Sequence, residues 1–322
     1  MPTTRVGSVY NILSLVSEIK GKKDFALAAV KSVTSNFSID DRDTLFGEFQ
    51  ALFGEKIGRL TTYDKGRDML TNYQFDPVKN VNLEDSDAPN CVFTATVQAN
   101  LEIVSKFLAE SQPFLLVGPE GCGKNLLIQT ALTEFKQSTR TTVKTIHCNS
   151  QTKSTELISK LEECCNKSAS LYGPVLRPKD CNRLIIYLKD INLPRPDEYN
   201  SIELISFLQQ LLTHKGFYDS SLEFMTIHDN IQIVCSMNPS SDIGRHYIST
   251  RYTANVRILF IDYPSQEDLK TIYQELAKKI LKGFTNEGYT IKDDVIKKIA
   301  SMLVDLYLNI KEKLTSEAYD HY

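Results

Sequence analysis

Gly118-Pro-Glu-Gly-Cys-Gly-Lys124-Asn125 follows an apolar run, PFLLVG at 113–118, and leads directly into LLIQTALTEF. Glycines at this spacing let consecutive backbone N–H groups turn inward around an anion. A following helix adds its positive end, and Lys124 adds a full charge. The order strand, loop, helix therefore makes Gly118, Pro119, Glu120, Gly121, Cys122, Gly123, Lys124, Asn125 and Leu126 a candidate polyphosphate cradle of the G-x-x-x-x-G-K kind. Asn125 stands where a serine or threonine normally offers its hydroxyl to Mg²⁺. A neutral carboxamide is longer and aimed differently, so any Mg²⁺ is expected to be held weakly.

Further along, RLIIYL ends in Lys189-Asp190-Ile-Asn-Leu-Pro194. A phosphate-loop ATPase ends this strand with one carboxylate for the metal and a second for the attacking water. Lys189 replaces the first and Asp190 the second. An ammonium repels Mg²⁺ if it faces the site, and Asp is one methylene shorter than Glu, so hydrolysis is expected to be slow or absent. Asp190 equally suits the capping or ordering of the loop that follows.

IQIVCSMN ends at Asn238, at the carboxyl end of a strand, where ligands sit in open α/β sheets and where a γ-phosphate could be sensed. Asn before Pro239 also favours a plain turn. In GRHYISTRYT, Arg245 and Arg251 precede the last strand. An arginine there can reach a neighbouring subunit's nucleotide, and a solvated surface arginine is the plainer alternative. The histidines are scattered and none has a metal-ligand spacing to a cysteine, so no protein metal site is assigned.

These residues need elements to hold them. From Val97 the pattern alternates: a helix to about Glu110, the strand at 113–118, and a helix from Lys124 to about Phe135. Apolar runs follow at 142–148, 183–188, 231–236 and 256–261, with helical stretches at 153–165 and 201–213. Short strands apolar on both faces, joined by crossover helices, predict a mostly parallel sheet in a three-layer α/β domain. Helical periodicity at 8–53 predicts a short helical bundle, and the Asp, Asn, Pro and Gly within 55–92 predict a linker. After Pro264 a helical lid is expected, with Leu269, Ile272, Tyr273, Leu276 and Ile280 on one face and Val295, Ile299, Leu303 and Leu306 on another.

The 322 residues carry 37 basic and 40 acidic side chains, a net charge of −3, which is not the positive body that nonspecific nucleic-acid binding needs. No apolar run approaches a membrane span, so no membrane or nucleic-acid partner is expected. Seven cysteines without a C-x-x-C pair suggest reduced thiols in the cytosol.

With these motifs in place, the stretches LLVGPEGCGK, QTKSTELISKL, RPKDCNRLIIYLKDINLP, LISFLQQLLTHKGFYD, IQIVCSMNP and GRHYISTRYT resemble the third AAA+ module of dynein heavy chains. The wording GPEGCGK and YLKDINLP is similar to the dynein 2 class, the motors of retrograde intraflagellar transport. The resemblance covers about 92–322 and implies a P-loop AAA+ large domain at 92–264 and the start of a helical small subdomain at 265–322. Residues 1–65 resemble the end of the preceding module's small subdomain, with 66–91 as linker. Position by position, it implies that Gly118 to Asn125 hold ATP or ADP and that Lys189 and Asp190 occupy degenerate Walker B positions. Asn238 would be sensor I, and Arg251 an arginine finger directed at the preceding module's nucleotide. The sensor II arginine of the family is expected beyond the chain end. The implied partners are neighbouring AAA+ modules, and, for the parent motor, dynein subunits and microtubules, in the cytoplasm, cytoskeleton and cilium. Three functions stay open on the sequence: a regulatory nucleotide-binding module, a competent ATPase in which Asp190 orients water, or a nucleotide-free spacer of the ring.

Overall fold

Strands β3 (Phe114–Val117), β4 (Thr141–His147), β7 (Arg183–Lys189), β10 (Ile231–Met237) and β11 (Arg257–Phe260) form a five-stranded parallel sheet in the order β11-β3-β10-β7-β4. These are the five strands the sequence predicts. The computed structural model describes residues 9, 19, 21–35, 37, 39–54, 56–64, 66–75, 91–170, 173–219, 221–285 and 293–313. The predicted face at Val9 to Val16 lies, apart from Val9, outside the described residues, as do 76–90 of the expected linker.

Period-two alternation assigns the sheet's side chains to two cores. Leu184, Ile186 and Leu188 of β7 enter one cluster with Leu115, Val117, Ile233 and Cys235. Ile185 and Tyr187 enter the other, with Phe114, Leu116 and Val234. The first core is covered by α5 (Ser154–Cys164) and α6 (Glu203–His214), which contribute Leu157, Leu161, Leu204 and Leu208. The second is covered by α3 (Ala95–Ala109) and α4 (Lys124–Ser138), through Val104, Phe107, Ile128 and Ala131. The result is the predicted three-layer α/β architecture. The Thr94 side chain caps α3 by accepting from the Val97 N–H at 3.4 Å.

A second, four-stranded sheet was not legible in the sequence. It comprises β5 (Cys165–Ser170), β6 (Gly173–Pro178), β8 (Gly216–Tyr218) and β9 (Phe224–Ile227), in the order β5-β6-β9-β8. Its strands are inserted before β7 and before β10, and β5 reads CNKSAS with a mostly exposed pattern. Such a strand carries no apolar alternation for a sequence reading to find. Cys164 and Cys165, both within the helical stretch expected at 153–165, fall at the end of α5 and the start of β5 and are both buried in the first core. All seven cysteines are free.

The N-terminal region forms α1 (Lys22–Thr34), α2 (Ile39–Phe53) and a hairpin of β1 (Thr61–Asp64) and β2 (Met69–Asn72). The hairpin crosses the expected division at 65/66. The region has a small core of Ala26, Leu27, Val30, Phe46 and Ile57, and Ala28 of α1 joins the second core of the main sheet. The outer edge of β11 is covered by this region: Phe260 N–H donates to Ser35 O at 2.8 Å and Ser35 Oγ to Ile258 O at 3.0 Å. Arg42 Nη2 donates to Phe260 O at 2.7 Å and to Ser35 O at 2.6 Å, which satisfies an otherwise open strand edge.

Two helices follow the sheet, α8 (Gln266–Thr285) and α9 (Asp293–Lys313), packed on each other. On α9 the buried residues are Ile296, Ala300 and Val304, while the expected Val295, Ile299, Leu303 and Leu306 are 38–56% exposed. The apolar stripe is broader than one packed face, and only the position of α8 selects the covered side.

Candidate functional site

β3 delivers the chain to Gly118 and α4 carries it away from Gly123, so the glycine loop lies at the carboxyl end of the sheet. Three backbone facts require glycine. A Cβ at Gly118 would stand 2.1 Å from the Ile261 carbonyl oxygen, because β11 runs directly alongside. Gly121 and Gly123 adopt left-handed φ of 77° and 91°, with open space where a Cβ would point. Gly123 is also the N-cap of α4, and no side chain caps that helix. Its first-turn N–H groups therefore remain available to an anion.

Lys124 is buried, and its Nζ donates to Gly118 O and Pro119 O, both at 2.7 Å. The ammonium thus sits inside the loop, held by the loop's own carbonyls, with Cys122 Sγ at 3.8 Å. Burial pushes the Cys122 thiol up, against the pull of Lys124. An open glycine turn, an uncapped helix and an internal ammonium together fit a nucleotide's phosphates.

The metal position is different. Tyr187 Oη donates to Asn125 Oδ1 at 2.8 Å and shares a hydrogen bond with Ser236 Oγ at 3.0 Å. Tyr187 is buried and its phenol is pushed up, first by desolvation, so it remains a neutral donor. The carboxamide oxygen that would face a cation is thus already engaged. Lys189 lies two residues on along the same face of β7, with Nζ 5.6 Å from the Tyr187 ring centroid. Among the described residues no group of three or more His, Cys, Asp or Glu side chains could hold a metal. At this position the side chains offer an engaged carboxamide oxygen and an ammonium in place of a hydroxyl and a carboxylate.

Asp190 takes a left-handed φ of 57° just after β7. Its Oδ1 accepts from Arg245 Nη1 at 3.2 Å, and the arginine side chain is only 12% exposed. Asn238 is buried at the end of β10, and its backbone oxygen accepts from Asn192 Nδ2 at 2.9 Å. Asn192 is fully buried, and its Oδ1 has no hydrogen-bond partner among the described residues. Arg251 is exposed on the short helix α7 (Thr250–Thr253) and joins none of the ion pairs found among the described residues.

The structure therefore brings the Gly118–Asn125 loop and Lys189 together at one end of the sheet, and sets Asp190 and Asn238 on neighbouring strands there. Arg251 is not part of that group. Tyr187, Asn192, Ser236 and the pairing role of Arg245 were missed in the sequence. A tyrosine inside a strand reads as core, and nothing local reveals that its hydroxyl reaches a different element.

A family described as "P-loop containing dynein motor region" matches residues 88–264. Among curated relatives, the chain is 36% identical to cytoplasmic dynein 2 heavy chain 1 of Mus musculus, over 99% of this chain and 8% of that protein. It is 35% identical to the Chlamydomonas reinhardtii protein of the same name, over 94% of this chain and 7% of that one. A cytoplasmic dynein heavy chain of Neurospora crassa is 28% identical over 93% of this chain. The chain spans less than a tenth of the length of these relatives.

Proposed function

This chain belongs to the dynein heavy chains, as a P-loop AAA segment of the dynein 2 type, and from that membership we propose that it is a regulatory nucleotide-binding module, the third of the motor ring. The parent would be an ATP-driven, minus-end-directed microtubule motor for retrograde intraflagellar transport, working in cytoplasm, cytoskeleton and cilium. Relatives bearing the dynein 2 name support this part of the reading. Its partners would be the neighbouring AAA+ modules of the same heavy chain, with dynein subunits and microtubules engaged by the parent. In this reading 1–65 belongs to the preceding module's small subdomain, 66–91 links, 92–264 is the large domain and 265–322 begins the lid.

The observation that carries the proposal is an open, uncapped glycine loop with Lys124 inside it, beside an Asp190 already paired with Arg245. ATP or ADP, when bound, supplies the polyphosphate charge that this loop is shaped to hold. The N–H groups at the head of α4 would donate to its phosphates, and Lys124, now on the carbonyls of Gly118 and Pro119, would supply the positive charge. Asp190, bound by a guanidinium, is a poor orienter of water, so hydrolysis would be slow or absent. Asn238 would read the γ-phosphate, and exposed Arg251 would serve the preceding module. Nucleotide state would then set the angle between the α/β domain and the helices α8 and α9 that follow Ser265, and that angle would pass round the ring.

The test is the nucleotide content of the purified chain, released by denaturation and identified by chromatography, together with single-turnover hydrolysis of ATP. Bound ADP or ATP with slow turnover is expected. An empty chain that shows no thermal shift with ADP would overturn the proposal, and brisk turnover would overturn its regulatory part.

A further inference from the structure

We infer that Lys189 takes the place of the divalent cation, so that this site holds its nucleotide without Mg²⁺. The inference rests on the nucleotide-binding reading above and deepens it.

Three observations converge on the head of α4. Asn125 occupies the P-loop position whose side chain would ligate a metal, and its Oδ1 is already the acceptor for Tyr187 Oη at 2.8 Å. Tyr187 also shares a hydrogen bond with Ser236 Oγ at 3.0 Å, so the phenol is tied to both α4 and β10. Lys189 projects from the same face of β7 as Tyr187, half-buried, with Nζ 5.6 Å from its ring centroid. Among the described residues no carboxylate lies within salt-bridge distance of that ammonium. Asp190, next in sequence, gives its charge to Arg245 instead.

Charge arithmetic explains why this arrangement suits a phosphate. A strand-end carboxylate together with a divalent cation carries one net positive charge beside the phosphates. One ammonium at the same strand end carries the same net charge without the metal. Exchanging carboxylate for lysine therefore removes the anchor of Mg²⁺ and supplies the charge that Mg²⁺ would have brought. Tyr187 and Asn125 complete the exchange by pairing with each other where a hydroxyl and a hydrated metal would otherwise meet.

The test is calorimetric titration of the full chain with ADP, in Mg²⁺ and again in excess EDTA, for the native sequence and for Lys189→Met and Lys189→Asp. Circular dichroism and thermal melts verify that both variants fold. The native chain should bind ADP with affinities within about threefold of each other in the two media. Lys189→Met, which keeps the stem and loses the charge, should lose about tenfold in EDTA. Lys189→Asp should bind ADP appreciably only when Mg²⁺ is present. A native affinity that falls by about tenfold or more in EDTA, or a folded Lys189→Met that binds like the native chain there, overturns the inference and leaves the nucleotide reading standing. Absence of ADP binding by the native chain in either medium overturns both.

Discussion

Arg245 Nη1 lies 3.2 Å from Asp190 Oδ1, so the one carboxylate at the end of the β7 strand is held by an arginine from the loop after β10. Asp190→Asn is therefore expected to change little. Asparagine also tolerates the left-handed φ of 57° found here, so the substitution isolates the charge. The arginine is largely buried but the carboxylate is 37% exposed, and the carboxamide oxygen can still accept from Arg245, so the change should cost about 1 kcal/mol. ADP affinity should stay within about twofold and ATP turnover should remain as slow as in the native chain. Single-turnover assays check this, and loss of product formation in the variant would assign Asp190 a catalytic role.

Lys124→Met should separate binding from folding. The ammonium is buried against the carbonyls of Gly118 and Pro119 and Cys122 Sγ, all neutral groups, so its removal strands no opposite charge and costs the free chain little. The same change removes a full charge from the phosphate cradle. ADP affinity should fall by about a hundredfold, while the denaturant midpoint of the nucleotide-free chain stays close to the native value.

Gly118→Ala should act in the opposite sense. The new methyl would meet Ile261 O at 2.1 Å and Cys122 Sγ at 2.9 Å, and a backbone carbonyl in a strand cannot swing aside. β3 and β11 would have to part, at a cost of about 3 kcal/mol or more. Urea denaturation should show this loss even without nucleotide.

Acid should loosen the contact between the N-terminal region and the α/β domain. Burial alone would raise the Glu102 carboxyl, but Lys31 Nζ at 2.8 Å, Lys106 and the Tyr73 hydroxyl hold it down at about 2, below its ordinary 4.5. A depressed carboxylate contributes stability that is complete above about 4.5 and is lost as the pH falls toward about 2. Glu102→Gln leaves Lys31 buried without its partner and should cost about 3 kcal/mol at neutral pH. The gap between variant and native chain should narrow below pH 4.5, a trend that denaturant titrations across the acid range would reveal.

The sequence alone determined the cradle and the sheet that carries it. A glycine loop between an apolar strand and a helix is a local pattern, and the five central strands are apolar on both faces because helices cover both. The departures from the usual residue types at Asn125 and Lys189 were equally legible, since both positions are fixed by their spacing within the motifs. What the sequence could not supply were relations between elements: that Tyr187 reaches Asn125, that Arg245 takes Asp190, that Arg42 clasps the edge of β11. Nor could it find the polar strands of the second sheet or choose which stripe of α9 is buried. Local pattern encodes which element forms. Partners from 55 or 62 residues away are chosen only when the packed sheet and its covering layers bring their side chains together.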